Sequence, residues 1–222
     1  MATNPYYDET PMPDEAPRIT FSGLEILHLA ASVLVLTVAF AFVLNDVPEP
    51  LSLERFDVPP VLWLASFLAV GSGFVLHELA HKIVAQRYDH WAEFRGWFRG
   101  LIMSLLVAAG FGVLFAAPGA VHIWGRVTPR ENGVISLVGP GVNFLIAILA
   151  LPFAWMMDVT AGPGRILAVV CFVNSLLAVF NLIPAWNLDG RKVLRWSKTA
   201  YIVSMVAALG LHILLYPAGI VP

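Results

Sequence analysis

Charge is what this sequence has least of. Lysine, arginine, aspartate and glutamate make up 13% of its 222 residues, about half the share in a soluble domain. Hydrophobic residues make up 59%, and the mean hydropathy is +0.78, values that describe a chain placed in lipid. The formal net charge of -2 leaves no strongly basic face, which excludes nucleic acid as an expected partner. Cysteine is nearly absent. Cys171 alone, inside an apolar run, excludes an intrachain disulfide and a thiolate metal cluster, and it reads as a small buried apolar side chain.

The start of the chain lacks apolar residues instead. Pro5, Pro11, Pro13 and Pro17 alternate with Asp8, Glu9, Asp14 and Glu15, a composition that cannot form a core. Residues 1–22 are therefore expected to be a disordered acidic tail, and residues 23–222 one transmembrane domain. The tail has neither the basic start nor the small-residue cleavage site of a signal peptide. The first apolar run is accordingly expected to be kept as a membrane span.

Five apolar runs reach the ~20 helical residues that a bilayer requires: Ile26–Leu44, Val61–Val84, Val134–Met157, Ile166–Ile183 and Thr199–Tyr216. A sixth, Leu101–Ala117, contains Gly110 and Gly112 and runs into Pro118-Gly119. Lysine and arginine concentrate on the cytoplasmic side of membrane proteins, so they decide whether that run crosses. With a cytoplasmic N-terminus and a non-crossing sixth run, only Arg55 and Arg165 lie outside, against eleven inside. If the sixth run crosses, the split becomes six inside and seven outside. The first arrangement is the expected one, with the Asn45–Pro60 connection facing outward.

Leu101–Ala117 then reads as a re-entrant or interfacial element, tolerated at membrane depth only when buried in protein or lining a wet cavity. The residues after it, Pro118 to Gly125, read as a turn and a short strand with a free edge. The expected fold is an all-α polytopic membrane protein with five to six transmembrane helices. A re-entrant or β-hairpin element is expected between the second and third core spans. The chain is expected to be a multi-pass protein of the cell membrane.

His77-Glu78-Leu79-Ala80-His81 lies near the inner end of the second span. Residues four apart on a helix share a face, so both imidazoles can reach one zinc ion at ~2.0–2.1 Å. Glu78, beside the first histidine, is placed to hold and deprotonate an attacking water. At ~1.5 Å per residue, His77 lies ~15 Å and His81 ~9 Å along the helix from Arg87. The group therefore sits below the membrane surface, where polar residues are costly without a compensating role. Catalytic zinc usually takes a third protein ligand. Asp189, in Asn187-Leu188-Asp189-Gly190, is the candidate, on the same side of the membrane. Pro184 and Gly190 would end the preceding helix and turn the carboxylate inward. A surface aspartate pairing with Arg191 or Lys192 is the alternative.

Taken together, these motifs resemble the site-2 protease family of intramembrane metalloproteases. His-Glu-x-x-His ends one span, Asn-x-x-Pro-x-x-x-Leu-Asp-Gly (Asn181 to Gly190) follows a later one, and Gly139-Pro140-Gly141-Val142-Asn143 matches a Gly-Pro-x-x-Asn pattern between them. The resemblance covers about Val61 to Ser197. It implies one catalytic zinc ion held by His77, His81 and Asp189, with Glu78 as general base. It also places Asn181 beside the active site, to bind substrate backbone or the developing oxyanion, with Asn143 as a second polar contact. Interhelical hydrogen bonding is the other reading of both asparagines. This chain is expected to lack the PDZ-like or CBS-like domain of larger members.

The activity implied is hydrolysis of a peptide bond in or near a transmembrane segment, with the active site on the cytoplasmic side. The expected partners are a transmembrane protein substrate and membrane lipid, with a homo-oligomer left open. The rival is a zinc transporter or metal-binding membrane protein. A transport path strings polar residues through several depths, whereas these cluster near one side. His28, His90, His122 and His212 are expected in packing or interfacial hydrogen bonds, with His122 closest to any substrate.

Overall fold

The computed structural model describes residues 19–114, 118–217 and 219–220. Most of the acidic proline-rich segment therefore lies outside the described residues. Helix α1 (Gly23–Leu44) opens on Ser22, whose hydroxyl accepts from the Glu25 N–H, satisfying one of the donors that a helix start leaves open. Helix α2 (Pro60–Val70) continues through a π-helical turn, Gly71–Val75, into α3 (Leu76–Arg87). Strand β1 (Trp91–Gly96), helix α4 (Phe98–Phe111) and strand β2 (Gly119–Trp124) follow. Helix α5 (Pro129–Trp155) starts on a capping box of Thr128 and Glu131. Helices α6 (Gly162–Asn181), α7 (Asp189–Trp196) and α8 (Lys198–Leu215) complete the described chain.

Among the described residues, α1, the Pro60–Arg87 unit, α5, α6 and α8 are long and apolar enough to cross a membrane. They are the five spans read from the sequence. Lipid tails are as apolar as leucine, so burial does not drive these helices together. Small residues that let backbones approach closely do. Ala39, Ala65, Ala69 and Ala108 are fully buried in one core cluster, and Ala147, Ala154 and Cys171 in another.

Helix α4 is 14 residues long, ~21 Å of rise against a hydrocarbon core of ~30 Å. At its start the Trp97 N–H donates to Pro118 O at 2.9 Å. At its end Gly110 O accepts from the Leu51 N–H at 2.6 Å. Gly112, at φ +64°, ends the helix in the left-handed conformation, which glycine adopts without a Cβ penalty. The chain thus runs from the sheet to the α1–α2 connection and returns to the sheet. This is the excursion expected of Leu101–Ala117, although residues 115–117 lie outside the described residues.

The two strands pair antiparallel, from Trp91 opposite Trp124 to Gly96 opposite Gly119. The two edges of the sheet differ. Along the outer edge of β1, the Phe94 N–H donates to Glu25 Oε1 at 2.9 Å and the Gly96 N–H to His28 Nδ1 at 3.2 Å. Ala92 O accepts from Gln86 Nε2 at 3.4 Å. Glu25 also forms an ion pair with Lys82, and both are buried. That arrangement satisfies a charge pair otherwise expensive to bury. Helices α1 and α3 therefore seal this edge. In an antiparallel ladder both backbone groups of a residue point the same way, so Gly119, Val121 and Ile123 turn theirs toward the opposite edge, away from β1.

Candidate metal centre

His77 and His81 stand one turn apart on α3, and their Nε2 atoms lie 2.9 Å from each other. Asp189 Oδ2 lies 3.4 Å from His77 Nε2 and 3.1 Å from His81 Nε2. All three residues are buried. Ligands held at ~2.0–2.1 Å in tetrahedral array are about 3.3 Å apart, so these separations fit a single zinc ion.

The hydrogen bonds behind the imidazoles strengthen the fit. His81 Nδ1 is 2.6 Å from Ile135 O, a carbonyl that can only accept, so Nδ1 carries the proton and Nε2 a lone pair. His77 Nδ1 is 2.6 Å from Asn143 Oδ1. The orientation of that amide is fixed, because its Nδ2 donates to Gly73 O at 2.7 Å. Nε2 of His77 therefore also presents a lone pair. Two imidazole lone pairs and a carboxylate oxygen converge with no proton among them, an arrangement that a cation stabilises.

Gly139 of α5 closes the cradle from behind. A Cβ there would meet His81 Nε2, and would lie 2.6 Å from His81 Cε1 and 2.7 Å from His77 Cε1.

Asp189 reaches the site because α6 ends at Asn181 and the chain turns before α7 begins. The helix thus stops ahead of Pro184. Gly190 acts by close approach rather than as a terminator: a Cβ there would overlap the Leu182 backbone, with Leu182 Cα at 2.8 Å. Asp189 is buried rather than on the surface, with a different partner on each oxygen. Oδ2 faces the histidines, and Oδ1 lies 3.4 Å from Lys192 Nζ. Arg191 donates instead to Trp186 O at 2.7 Å. Burial pushes the Asp189 carboxyl up, and the Lys192 ammonium beside Oδ1 pulls it down. Ionised, the carboxylate is the form that ligates metal.

A cavity of about 390 Å³ opens in front of the three residues. Glu78 and Asn181 line it, and the whole of β2 forms one wall. Glu78 Oε2 accepts from the Val121 N–H at 3.2 Å, so the carboxylate and the open strand edge meet. Asn181 donates one Nδ2 hydrogen to Leu177 O at 3.0 Å and keeps the other.

Asn143 is placed differently from Asn181. It is fully buried behind His77 and does not line the cavity. His122 lines the cavity, and burial together with Arg95 lowers its pKa. His28, His90 and His212 are in the expected side roles, bonded to Gly96, Glu131 and Ser175. Sequence reasoning expected a hairpin but did not locate β1, and it missed the Glu25–Lys82 pair and Asn174. The signal for the last two was a polar residue inside an apolar span.

Comparison with known proteins gives several relatives. The chain is 35% identical over 195 residues to the provisionally named zinc metalloprotease MJ0611 of Methanocaldococcus jannaschii, covering 86% of this chain and 93% of that protein. It is 29% identical over 136 residues to zinc metalloprotease MJ0392 of the same organism, covering 61% of this chain and 34% of that one. It is 30% identical over 156 residues to the provisionally named zinc metalloprotease Rip2 of Mycobacterium tuberculosis, covering 60% and 58%. No family model matches the chain, and no solved structure does.

Proposed function

Because the chain belongs to the site-2 protease family of zinc metalloproteases, we propose that it hydrolyses a peptide bond in or near a transmembrane segment of a membrane-anchored protein. The active site faces the cytoplasmic side in this reading, and the sided distribution of lysine and arginine supports it. The observation that carries the proposal is one cavity holding His77, His81, Asp189 and Glu78 with an open strand edge as its wall.

A helical substrate hides its carbonyls in its own hydrogen bonds and must unwind before it can be cut. The edge of β2 that faces away from β1 offers an unwound segment a strand to pair with. His77, His81 and Asp189 would hold a zinc ion, which would supply the Lewis acidity to make water a nucleophile near neutral pH and to polarise the scissile carbonyl. Glu78 takes the proton of the attacking water and delivers it to the leaving amine as the C–N bond breaks. Asn181 donates its remaining N–H to the oxyanion that develops at the carbonyl. Asn143 holds His77 in position.

Two results follow from these roles. Purified protein in lipid vesicles cleaves a single-span substrate, loses that activity to a chelator and regains it with zinc. Mass spectrometry places the cut within or at the edge of the span. Zinc uptake by the vesicles with no cleavage would overturn the proposal in favour of transport. Asn181→Ala lowers kcat by about 10²–10³-fold, the worth of one oxyanion donor, and leaves zinc content unchanged.

A further inference from the structure

One polar residue of α6 has no place in the mechanism above. Asn174 is fully buried at membrane depth, where an amide is expensive unless every group on it is bonded. Its Oδ1 accepts from Asn143 Nδ2 at 3.0 Å. Its Nδ2 donates to Val170 O at 2.9 Å and to Ser72 Oγ at 3.0 Å. Ser72 in turn donates to Leu68 O at 2.7 Å. The sequence of donors runs one way: His77 to Asn143, Asn143 to Asn174, Asn174 to Ser72, and Ser72 to the backbone. Neither amide can flip, because each has an Nδ2 hydrogen committed to a backbone carbonyl, Gly73 O for Asn143 and Val170 O for Asn174.

The π-helical turn provides the space for this arrangement. It bonds the Leu76 N–H to Gly71 O, one residue further back than an α-helix would. Gly73 O accepts from Asn143, and Ser72 meets Asn174 across the helix interface. A Cβ at position 73 would crowd the tip of the Leu177 side chain, with Cδ1 at 2.9 Å, and would touch Asn174 Oδ1 at 3.5 Å. Such turns recur at functional sites in other helices. His81 needs no comparable support, because one backbone carbonyl fixes it directly.

We propose that Asn174 and the Gly71–Val75 turn are a positioning device for the metal: through Asn143 they fix the tautomer and ring angle of His77. The inference rests on the zinc reading of the site. Outer partners of ligating histidines typically set metal affinity by 10–100-fold.

The test is zinc affinity by competition with a chromophoric chelator, together with the visible absorption of the cobalt-substituted protein. Both are read in detergent on wild type and Asn174→Leu. The expected result is ~10–100-fold weaker zinc binding and shifted cobalt bands, with kcat recovering when zinc is saturating. Ser72→Ala, at the far end of the sequence of donors, is expected to weaken binding roughly two- to tenfold, the worth of one hydrogen bond. If Asn174→Leu does not fold, Ser72→Ala alone decides. Wild-type affinity and unshifted cobalt bands in the folded variants would overturn the inference. Wild-type protein that binds neither zinc nor cobalt would overturn the zinc reading itself.

Discussion

Glu78→Gln lowers peptide-bond cleavage by about 10²–10⁴-fold, the usual worth of general acid–base catalysis, while zinc content stays at the wild-type level. The substitution isolates proton transfer. Glutamine has the shape of glutamate and keeps an oxygen that can accept from the Val121 N–H, so the strand edge stays where it is. Glu78 is not among the three groups whose ligand atoms converge, so the metal cradle is untouched. What disappears is a group able to take a proton from water and return it to an amine. The measurement is the initial rate on a transmembrane substrate in vesicles, with metal analysis of the same preparation. A variant that cleaves at the wild-type rate would place the base elsewhere.

Gly139→Val removes zinc, and activity goes with it. In an ordinary helix interior, replacing glycine by a residue with a side chain gains helix propensity, ~1 kcal/mol for alanine. Here the added Cβ would fall between the two imidazoles, and the valine methyl groups would add to the overlap. Overpacking a filled site costs ~1–3 kcal/mol, occasionally more. The strain falls on both histidines at once, so zinc affinity drops by about 10²-fold or more. Gly141, two residues on, provides an internal control. A Cβ there meets nothing within 4 Å, so Gly141→Ala keeps zinc and rate. Metal analysis after gel filtration reads both variants. Equal zinc in Gly139→Val and wild type would show that α5 does not confine the imidazoles.

Much of this was legible in the sequence because it depends on length and spacing. Spans follow from apolar runs, and all five fall within a few residues of their helices. His77 and His81 share a face because four residues make about one turn. The charge asymmetry marked Leu101–Ala117 as non-crossing, and α4 is indeed too short to cross.

What the sequence hid depends on partners. Trp91–Gly96 alternates too briefly to read as a strand, and it becomes one because β2 pairs with it. Gly71–Val75 looks like any apolar helical stretch, since the widened turn shows only once Asn143 and Ser72 have found their bonds. Asp189 to Trp196 has no apolar run to mark it in the sequence, yet it forms a helix that brings the carboxylate to the histidines. The match to Gly-Pro-x-x-Asn pointed to Asn143 without saying which side of His77 it would occupy.

The open edge of β2 carries one further consequence, which concerns the arithmetic of cleavage. Only every second residue of the strand directs its backbone groups outward. A peptide laid along that edge can therefore shift in steps of two residues and keep its ladder, whereas a shift of one turns every side chain to the opposite face. Where a substrate is cut at more than one place, the product ends should differ by even numbers of residues. Preferences for particular side chains should likewise recur at alternate positions around the cut, giving a sequence logo with a period of two.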